Sequence, residues 1–344
     1  ADWRLELEIG GDSAPLSLRA GPEGRVLILC LGKDPNAETA RRAAAKAVTA
    51  IRELGARTAL MDVDTAARAL GPGGLSALAQ GAQLACYRQP AWKEREDTPF
   101  TLYLAGAEGL EDALAQADAV TRAVCFARDL VNCPANLLTP QDMAQRMAQA
   151  AGPLGVEVEI LDGDRTRALG MGAYHAVADS AVHPPQLIVL RWRGGREGAP
   201  PIALVGKGVC CDTGGYCLKT AAGLKGTRGD MAGGAAVCGA VLALAENKAP
   251  VNAVAVIPAV ENRLSADSFL PGDVIRSMSG KTIQVNNTDA EGRLILADAI
   301  TYAIQQEGAG RVVDIATLTG ACVAALGFTT AGLLPNDEGL FHTF

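Results

Sequence analysis

Aromatic residues make up only 4% of this 344-residue chain. Its cores must therefore be built from Ala, Val, Leu and Ile rather than from rings. Histidine is scarcer still: His175, His183 and His342 are the only three. None is paired at zinc-ligand spacing, and no HExxH occurs, so all three read as satisfied or surface residues. No run of 18 uninterrupted apolar residues appears, which argues against a membrane span. The start, ADWRLELEIGGDS, has no basic segment followed by an apolar run, as a secretory signal requires. It also lacks an initiator Met, which reads as a processed or trimmed start. Positive charge is in deficit: 31 Lys and Arg against 38 Asp and Glu give a net charge of −7. A protein built to grip nucleic acid needs the opposite balance, so a nucleic-acid partner is not expected. The nine cysteines contain no CxxC pair, are odd in number and sit mostly in apolar runs. They read as reduced, buried thiols of a cytoplasmic protein.

Several common catalytic signatures fail as well. The phosphate loop GxxxxGK followed by Ser or Thr is missing, because Gly208 follows Lys207 and no Gly stands five residues before Gly206. A GxGxxG fingerprint begins at Gly206 and Gly208, but Cys211 occupies the third glycine position. There is no GxSxG elbow for a serine nucleophile, and no calcium-loop spacing.

What is present is ample apolar material, 49% of residues, in a length that suits two domains. Apolar runs at 24–32, 57–64 and 101–107 read as strands. Helical stretches are expected from Asn36 to Leu54 and over 74–87, with a charged loop at 89–99. A long helix over 109–132 could connect two domains. Beyond it the order continues: helix 140–152, strand 156–162, a short helix, strands 186–193 and 201–209, helix 230–247, strand 251–259, strand 281–285, helix 294–307 and strand 311–317. This alternation predicts an α/β protein of two domains, a smaller N-terminal one over 1–112 and a catalytic one over 136–344 with a mainly parallel central sheet, joined through 113–135.

Chemistry gathers at two places. Strand 201–209 exits into CDTGGYCLK, which brings Lys207, Asp212 and Lys219 to a strand end, where sites of open α/β sheets lie. Asp230 follows at the start of a glycine-rich helix. The second place is VNNTDAEGRLILADA, in which Asp289, Glu291 and Arg293 are spaced by two and would share a face if extended. Converging carboxylates repel unless a cation binds between them, and a divalent metal suits such hard oxygen donors. With Asp212 and Asp230 there are four carboxylates, enough for two metals if one is shared. Taken alone, NTDAEGR also fits a solvated acidic turn.

NTDAEGRL over 287–294, together with VGKGVCCDTGG, Lys219 and GDMAGGAA over 229–236, resembles the leucyl aminopeptidases, the cytosol aminopeptidase family. The seven polar residues Lys207, Asp212, Lys219, Asp230, Asp289, Glu291 and Arg293 keep that family's intervals. The likeness is strong over roughly 120–335 and weaker before, where CYRQPAWKE is similar to the family's domain-end segment. The resemblance implies that Lys207, Asp212, Asp230 and Glu291 ligate the tighter metal, and Asp212, Asp289 and Glu291 the exchangeable one. Zn or Mn come first as the ions, with Mg or Co as further options. A lysine ligand must shed its proton, which a nearby dication favours. Lys219 would polarise the substrate carbonyl, and Arg293 would anchor a bicarbonate acting as base. The implied substrate is a peptide with a free N-terminus, and the implied assembly is a homohexamer. Two metals can supply a bridging hydroxide and clamp the tetrahedral intermediate.

Three positions depart from the family pattern. Thr213 and Thr220 replace Ser and Pro, and Thr227 stands where a Met lines the first side-chain pocket. That pocket, walled also by Thr317 and Gly320, is expected to be more polar or roomier, weakening a leucine preference. Family members also continue past LGFTTAGLLPNDEGLFHTF, in a portion that completes the pocket and subunit packing. The alternatives are a Cys-Gly type dipeptidase on the same site, or a DNA-binding regulator or structural member of the family. Retention of every ligand argues against a structural role.

Overall fold

Short apolar runs and the helices between them build two sheets. The computed structural model describes residues 3–8, 16–21, 24–90, 99–106 and 109–341, and the statements below concern these residues. The loop expected at 89–99 lies mostly outside them, as does His342.

The first sheet is formed by β1 (Trp3–Glu8), β2 (Leu16–Gly21), β3 (Gly24–Cys30), β4 (Thr58–Asp62) and β5 (Thr101–Ala105), in the order β2-β3-β1-β4-β5. All pairs are parallel except the β2–β3 hairpin. The strand runs seen in the sequence became β3, β4 and β5. The reading missed β1 and β2, although Trp3, Leu5 and Leu7 of β1 alternate with charged residues and are buried, the two-residue period of a strand. Helix α1 (Ala37–Glu53) starts on a capping box between Asn36 and Thr39. It buries Ala40, Ala44, Ala47, Val48 and Ile51, the 3–4 spacing of one helical face. Helix α2 (Asp64–Cys86) begins ten residues earlier than expected and is kinked at Gly71, just before Pro72. Proline offers no N–H to the preceding turn, so the kink follows from chemistry.

Helix α3 (Glu111–Asn132) packs against α2 and the second domain. That domain contains α4 (Pro140–Ala151), β6 (Glu157–Leu161), α5 (Gly163–Ala168), α6 (Gly172–Ala178), β7 (Gln186–Arg193), β8 (Ile202–Gly206) and β9 (Gly208–Asp212). Then come α7 (Ala221–Leu224), α8 (Ala232–Glu246), β10 (Asn252–Asn262), β11 (Val274–Arg276), β12 (Thr282–Gln284), α9 (Glu291–Gln305), β13 (Arg311–Ile315), α10 (Gly320–Leu326) and α11 (Glu338–Phe341). The central sheet runs β13-β8-β10-β7-β6, with β9 also on β10. Its β13, β8, β10 and β9 pairings are parallel; β7 and β6 join antiparallel.

Strand β10 is buried on both sides, as a central strand covered by helices must be. Ala255, Ile257 and Ala259 pack with Met143 of α4 and Val241 of α8. Val254, Val256 and Val260 pack with Tyr174 of α6 and Ile295 of α9. The segment Thr227–Glu246 has the length and apolarity of a membrane span, but α8 within it lies in the core between the sheet and α3. The expected strand at 281–285 is not part of the main sheet. It is β12, paired only with β11 in a hairpin, with Thr282 and Gln284 exposed and Ile283 packed inward, the pattern of a strand covered on one face only.

Candidate metal centre

The expected strand over 201–209 is two strands. It breaks at Lys207, between β8 and β9, where the backbone is clamped from both sides. Lys207 N donates to Ile315 O of β13 at 3.1 Å, and Gly234 N donates to Lys207 O at 2.7 Å. The approach is close enough that a Cβ on Gly233 would lie 2.0 Å from Ile315 O, which explains the glycine pair at the start of α8. The Lys207 side chain then runs against the first turn of α9, where a Cβ on Gly292 would meet its Cε at 2.6 Å. Only glycine at 292 leaves that path open.

At the end of that path Lys207 Nζ lies 2.7 Å from Asp230 Oδ2 and 2.8 Å from Glu291 Oε1, and donates to Thr317 O at 3.1 Å. Lys207 and Glu291 are 2% and 1% exposed, so this is a buried ion pair. The second lysine, Lys219, pairs with Asp212 Oδ2 at 2.6 Å and with Asp289. Oxygens of Asp212, Asp230 and Glu291 lie within 4.8 Å of one another, a spacing that can hold a cation.

Burial works against the charge on both lysines, yet their carboxylate partners outweigh it and raise both pKa values. Burial, with Glu291 adding to it and Lys207 opposing, pushes Asp230 up to about 7. The raised acid fits a cluster in which negative charge exceeds its compensation. Both Asp230 oxygens lie against the Lys207 ammonium, Oδ1 at 2.8 Å and Oδ2 at 2.7 Å. Three clustered carboxylates with hard oxygen donors fit a divalent ion.

All seven polar residues singled out in the sequence line one cleft of about 1340 Å³, and Thr227, Thr317 and Gly320 line it too. Asp289, Glu291 and Arg293 do not converge by being extended. Residues 288–290 form a 3-10 turn and α9 begins at Glu291, so the turn, rather than strand alternation, aims them into the cleft. Arg293 is exposed on the wall. Thr317 does more than wall a pocket: its Oγ1 donates to Asp230 Oδ1 at 2.7 Å. Thr227 sits in a 3-10 turn and its Oγ1 donates to Leu224 O at 3.0 Å. Its hydroxyl proton is therefore already committed.

Sequence reasoning missed Asn262 and Thr288. Both are fully buried. Thr288 Oγ1 donates to Gly214 O at 2.6 Å and accepts from Cys217 N at 2.8 Å, which ties the loop carrying Lys219 to the turn carrying Asp289. The signal for Asn262 was a polar residue closing a long apolar strand. The histidines lie elsewhere: His175 Nε2 is 2.9 Å from Thr166 Oγ1, and His183 Nδ1 is 3.0 Å from Glu261. Among the described residues every cysteine is free, with Cys133, Cys210, Cys211 and Cys238 buried.

Residues 125–344 match the family model described as "Cytosol aminopeptidase family, catalytic domain", and residues 14–96 match that family's N-terminal domain. The probable cytosol aminopeptidase of Syntrophotalea carbinolica is 40% identical over 96% of this chain and 70% of its own length. That of Stenotrophomonas maltophilia is 49% identical over 75% of this chain and 53% of its own. The chain thus spans between about half and about 70% of the curated relatives it matches. Among solved structures, the bottromycin maturation enzyme BotP in complex with Mn superposes with a TM-score of 0.83 at 32% identity, covering 95% of this chain and 74% of that one. A tomato leucine aminopeptidase mutant gives 0.82 at 29% identity, over 94% and 72% of the two chains. Two matched domains, the shared fold and a carboxylate-lysine cluster inside the matched catalytic region converge on one conclusion: the chain belongs to the cytosol aminopeptidase family.

Proposed function

We propose that this chain is a two-metal aminopeptidase that removes the first residue of peptides with a free N-terminus. The observation that carries the reading is the convergence of Asp212, Asp230 and Glu291 with two lysines in one cleft. Lys207, Asp212, Asp230 and Glu291 would hold one ion, and Asp212, Asp289 and Glu291 the other. The similar enzyme BotP forms a complex with Mn, which favours Mn here, with Zn next and Mg or Co following. Bound by these side chains, two dications supply an activated water and a Lewis acid for the peptide carbonyl.

The chain's own residues do the rest. Lys219 reaches Asp212 and Asp289 and remains an ammonium. It stands where charge develops on the carbonyl oxygen, the place at which a fixed cation lowers the barrier most. Arg293, exposed on the wall, would hold a small anion such as bicarbonate, which would supply the base. Thr227, Thr317 and Gly320 border the space for the first side chain. The Thr227 hydroxyl donates to Leu224 O but can still accept, so the pocket differs from a Met-lined one by being roomier and more polar. A homohexamer in the cytoplasm, with α3 as the connector between domains, completes the proposal. The dipeptidase and DNA-binding readings find no support in the comparisons.

The test is elemental analysis of purified protein, paired with hydrolysis of Leu-p-nitroanilide before and after chelation. Bound Mn or Zn, activity lost on chelation and activity restored by Mn are expected. Hydrolysis indifferent to chelation overturns the reading.

A further inference from the structure

The end of β10 sets an uncharged amide against the two acids that the two-metal reading makes shared. Asn262 is fully buried. Its Nδ2 donates to Asp212 Oδ1 at 2.9 Å and to Thr288 O at 3.1 Å, and reaches Glu291 Oε2 at 3.5 Å. All three neighbours are acceptors, so only the NH2 end of the amide can face them. On the other side Asn262 Oδ1 is buried without a hydrogen-bond partner. Buried polar atoms are nearly always paired, and an exception signals a demand other than packing.

The backbone is bent to produce this arrangement. Val209 of β9 pairs with Val260 of β10, and both pack on the α6 and α9 side. Three residues beyond Val209, an unbroken strand would turn Asp212 to the opposite face. A register shift after Val260 sets Glu261 opposite Cys211 and Asn262 opposite Asp212. The extra residue swings Asp212 back to the side of α9, which is how bulges re-aim side chains next to sites. Thr213 seals the junction, its N and Oγ1 both donating to Asn262 O at 2.9 Å. Each shared acid then has one oxygen toward the amide and the other toward a lysine, Lys219 for Asp212 and Lys207 for Glu291.

We propose that Asn262 is a positioning residue for the metal pair: its amide fixes Asp212 and Glu291 relative to each other before any ion arrives. Being neutral, it orders the two carboxylates without repelling an incoming cation, whereas a third ammonium would compete with that cation for the acids. The proposal rests on the two-metal reading, and the experiment separates the two. Chelator-stripped wild type, Asn262→Ala and Asn262→Leu are titrated with Mn2+, following bound metal and the gap between loaded and chelated melting temperatures. That gap reports binding to the native state, and it is a difference that a merely structural role would leave alone. Wild type is expected to take up two ions. Both variants are expected to bind about 10- to 100-fold more weakly, the usual effect of losing an outer partner of metal ligands, and to show a smaller gap. Wild type that binds no Mn2+ overturns the two-metal reading and this proposal with it. Wild type that binds two ions, beside variants of unchanged affinity and gap, overturns this proposal alone. So does failure of both variants to fold in chelator, for Asn262 would then be a fold residue. The leucine variant, which keeps asparagine's branching and heavy-atom number while losing its polar atoms, guards against a simple cavity effect.

Discussion

The two domains share an architecture, a mainly parallel sheet with helices against it, and differ in what they bury. Among the described residues before α3, every buried side chain is apolar. The second domain buries Lys207, Asp212, Glu261, Glu291 and Asp298 as well as His175. Burying a charge is unfavourable unless it is paired, and even a paired one contributes little stability. The first domain is thus arranged for packing alone, whereas the second gives up packing for a site. The sharpest way to break this contrast is to remove a site acid. Glu291→Ala or Asp289→Ala should reduce aminopeptidase activity to the level of the chelated protein, while circular dichroism shows an intact fold. Activity surviving in either variant would count against the assignment of these acids.

Next in size is Lys219→Ala. If the ammonium acts on charge that develops during the reaction, kcat should fall by about 10²–10³-fold, with KM little changed. A rise in KM with kcat unchanged would make Lys219 a binding group only. The mirror experiment belongs to the first domain. Leu29 is fully buried beneath α1, so Leu29→Ala should cost about 2–5 kcal/mol in denaturant unfolding. Its kcat/KM per folded molecule should match wild type. A large kinetic effect there would show that the apolar domain shapes the site.

The same contrast governs how much was legible in the sequence. Side chains that must point one way leave a pattern: α1 was bounded by Asn36 and Gly55, and β7 by its apolar run. The seven polar residues stood out because acids and lysines gather at a strand exit and in one short motif, at intervals that resemble those of a known family. What stayed hidden depends on backbone geometry. Strand β1 carries charge on every second residue and looked too polar to be central. The break at Lys207 is marked only by the Gly206-Lys207-Gly208 triplet, which sits between apolar residues and reads equally as the middle of one strand, and the register shift after Val260 leaves no compositional trace. The convergence of Asp289, Glu291 and Arg293 was anticipated for a strand and is achieved by a turn. Residue spacing alone does not distinguish those two routes to one cleft.

A smaller effect is expected where the site meets the first side chain. Thr227→Met should restore the longer apolar wall that threonine lacks, raising the preference for Leu over Ala amides by about 10-fold, the scale of one methylene in an apolar pocket. A ratio unmoved by the substitution would place the first side chain elsewhere in the cleft.

The least effect concerns a buried group of the second domain away from the cleft. His175 is 5% exposed, and burial, helped by Arg167, lowers its pKa below 6.5 against the opposing pull of Asp179. The native protein therefore holds it neutral while the unfolded chain takes up a proton. Its contribution is complete above pH 6.5 and is lost as pH falls toward the lowered native value, by at most about 1.4 kcal/mol per pH unit. Melting temperatures of the chelated protein between pH 7.5 and 5.5 should fall more steeply for wild type than for His175→Gln. Equal slopes would mean that His175 takes up its proton equally in the native and unfolded states and adds no acid sensitivity. The first domain, with no buried ionisable side chain among the described residues, offers no comparable group, so the difference in slope belongs to the second domain alone.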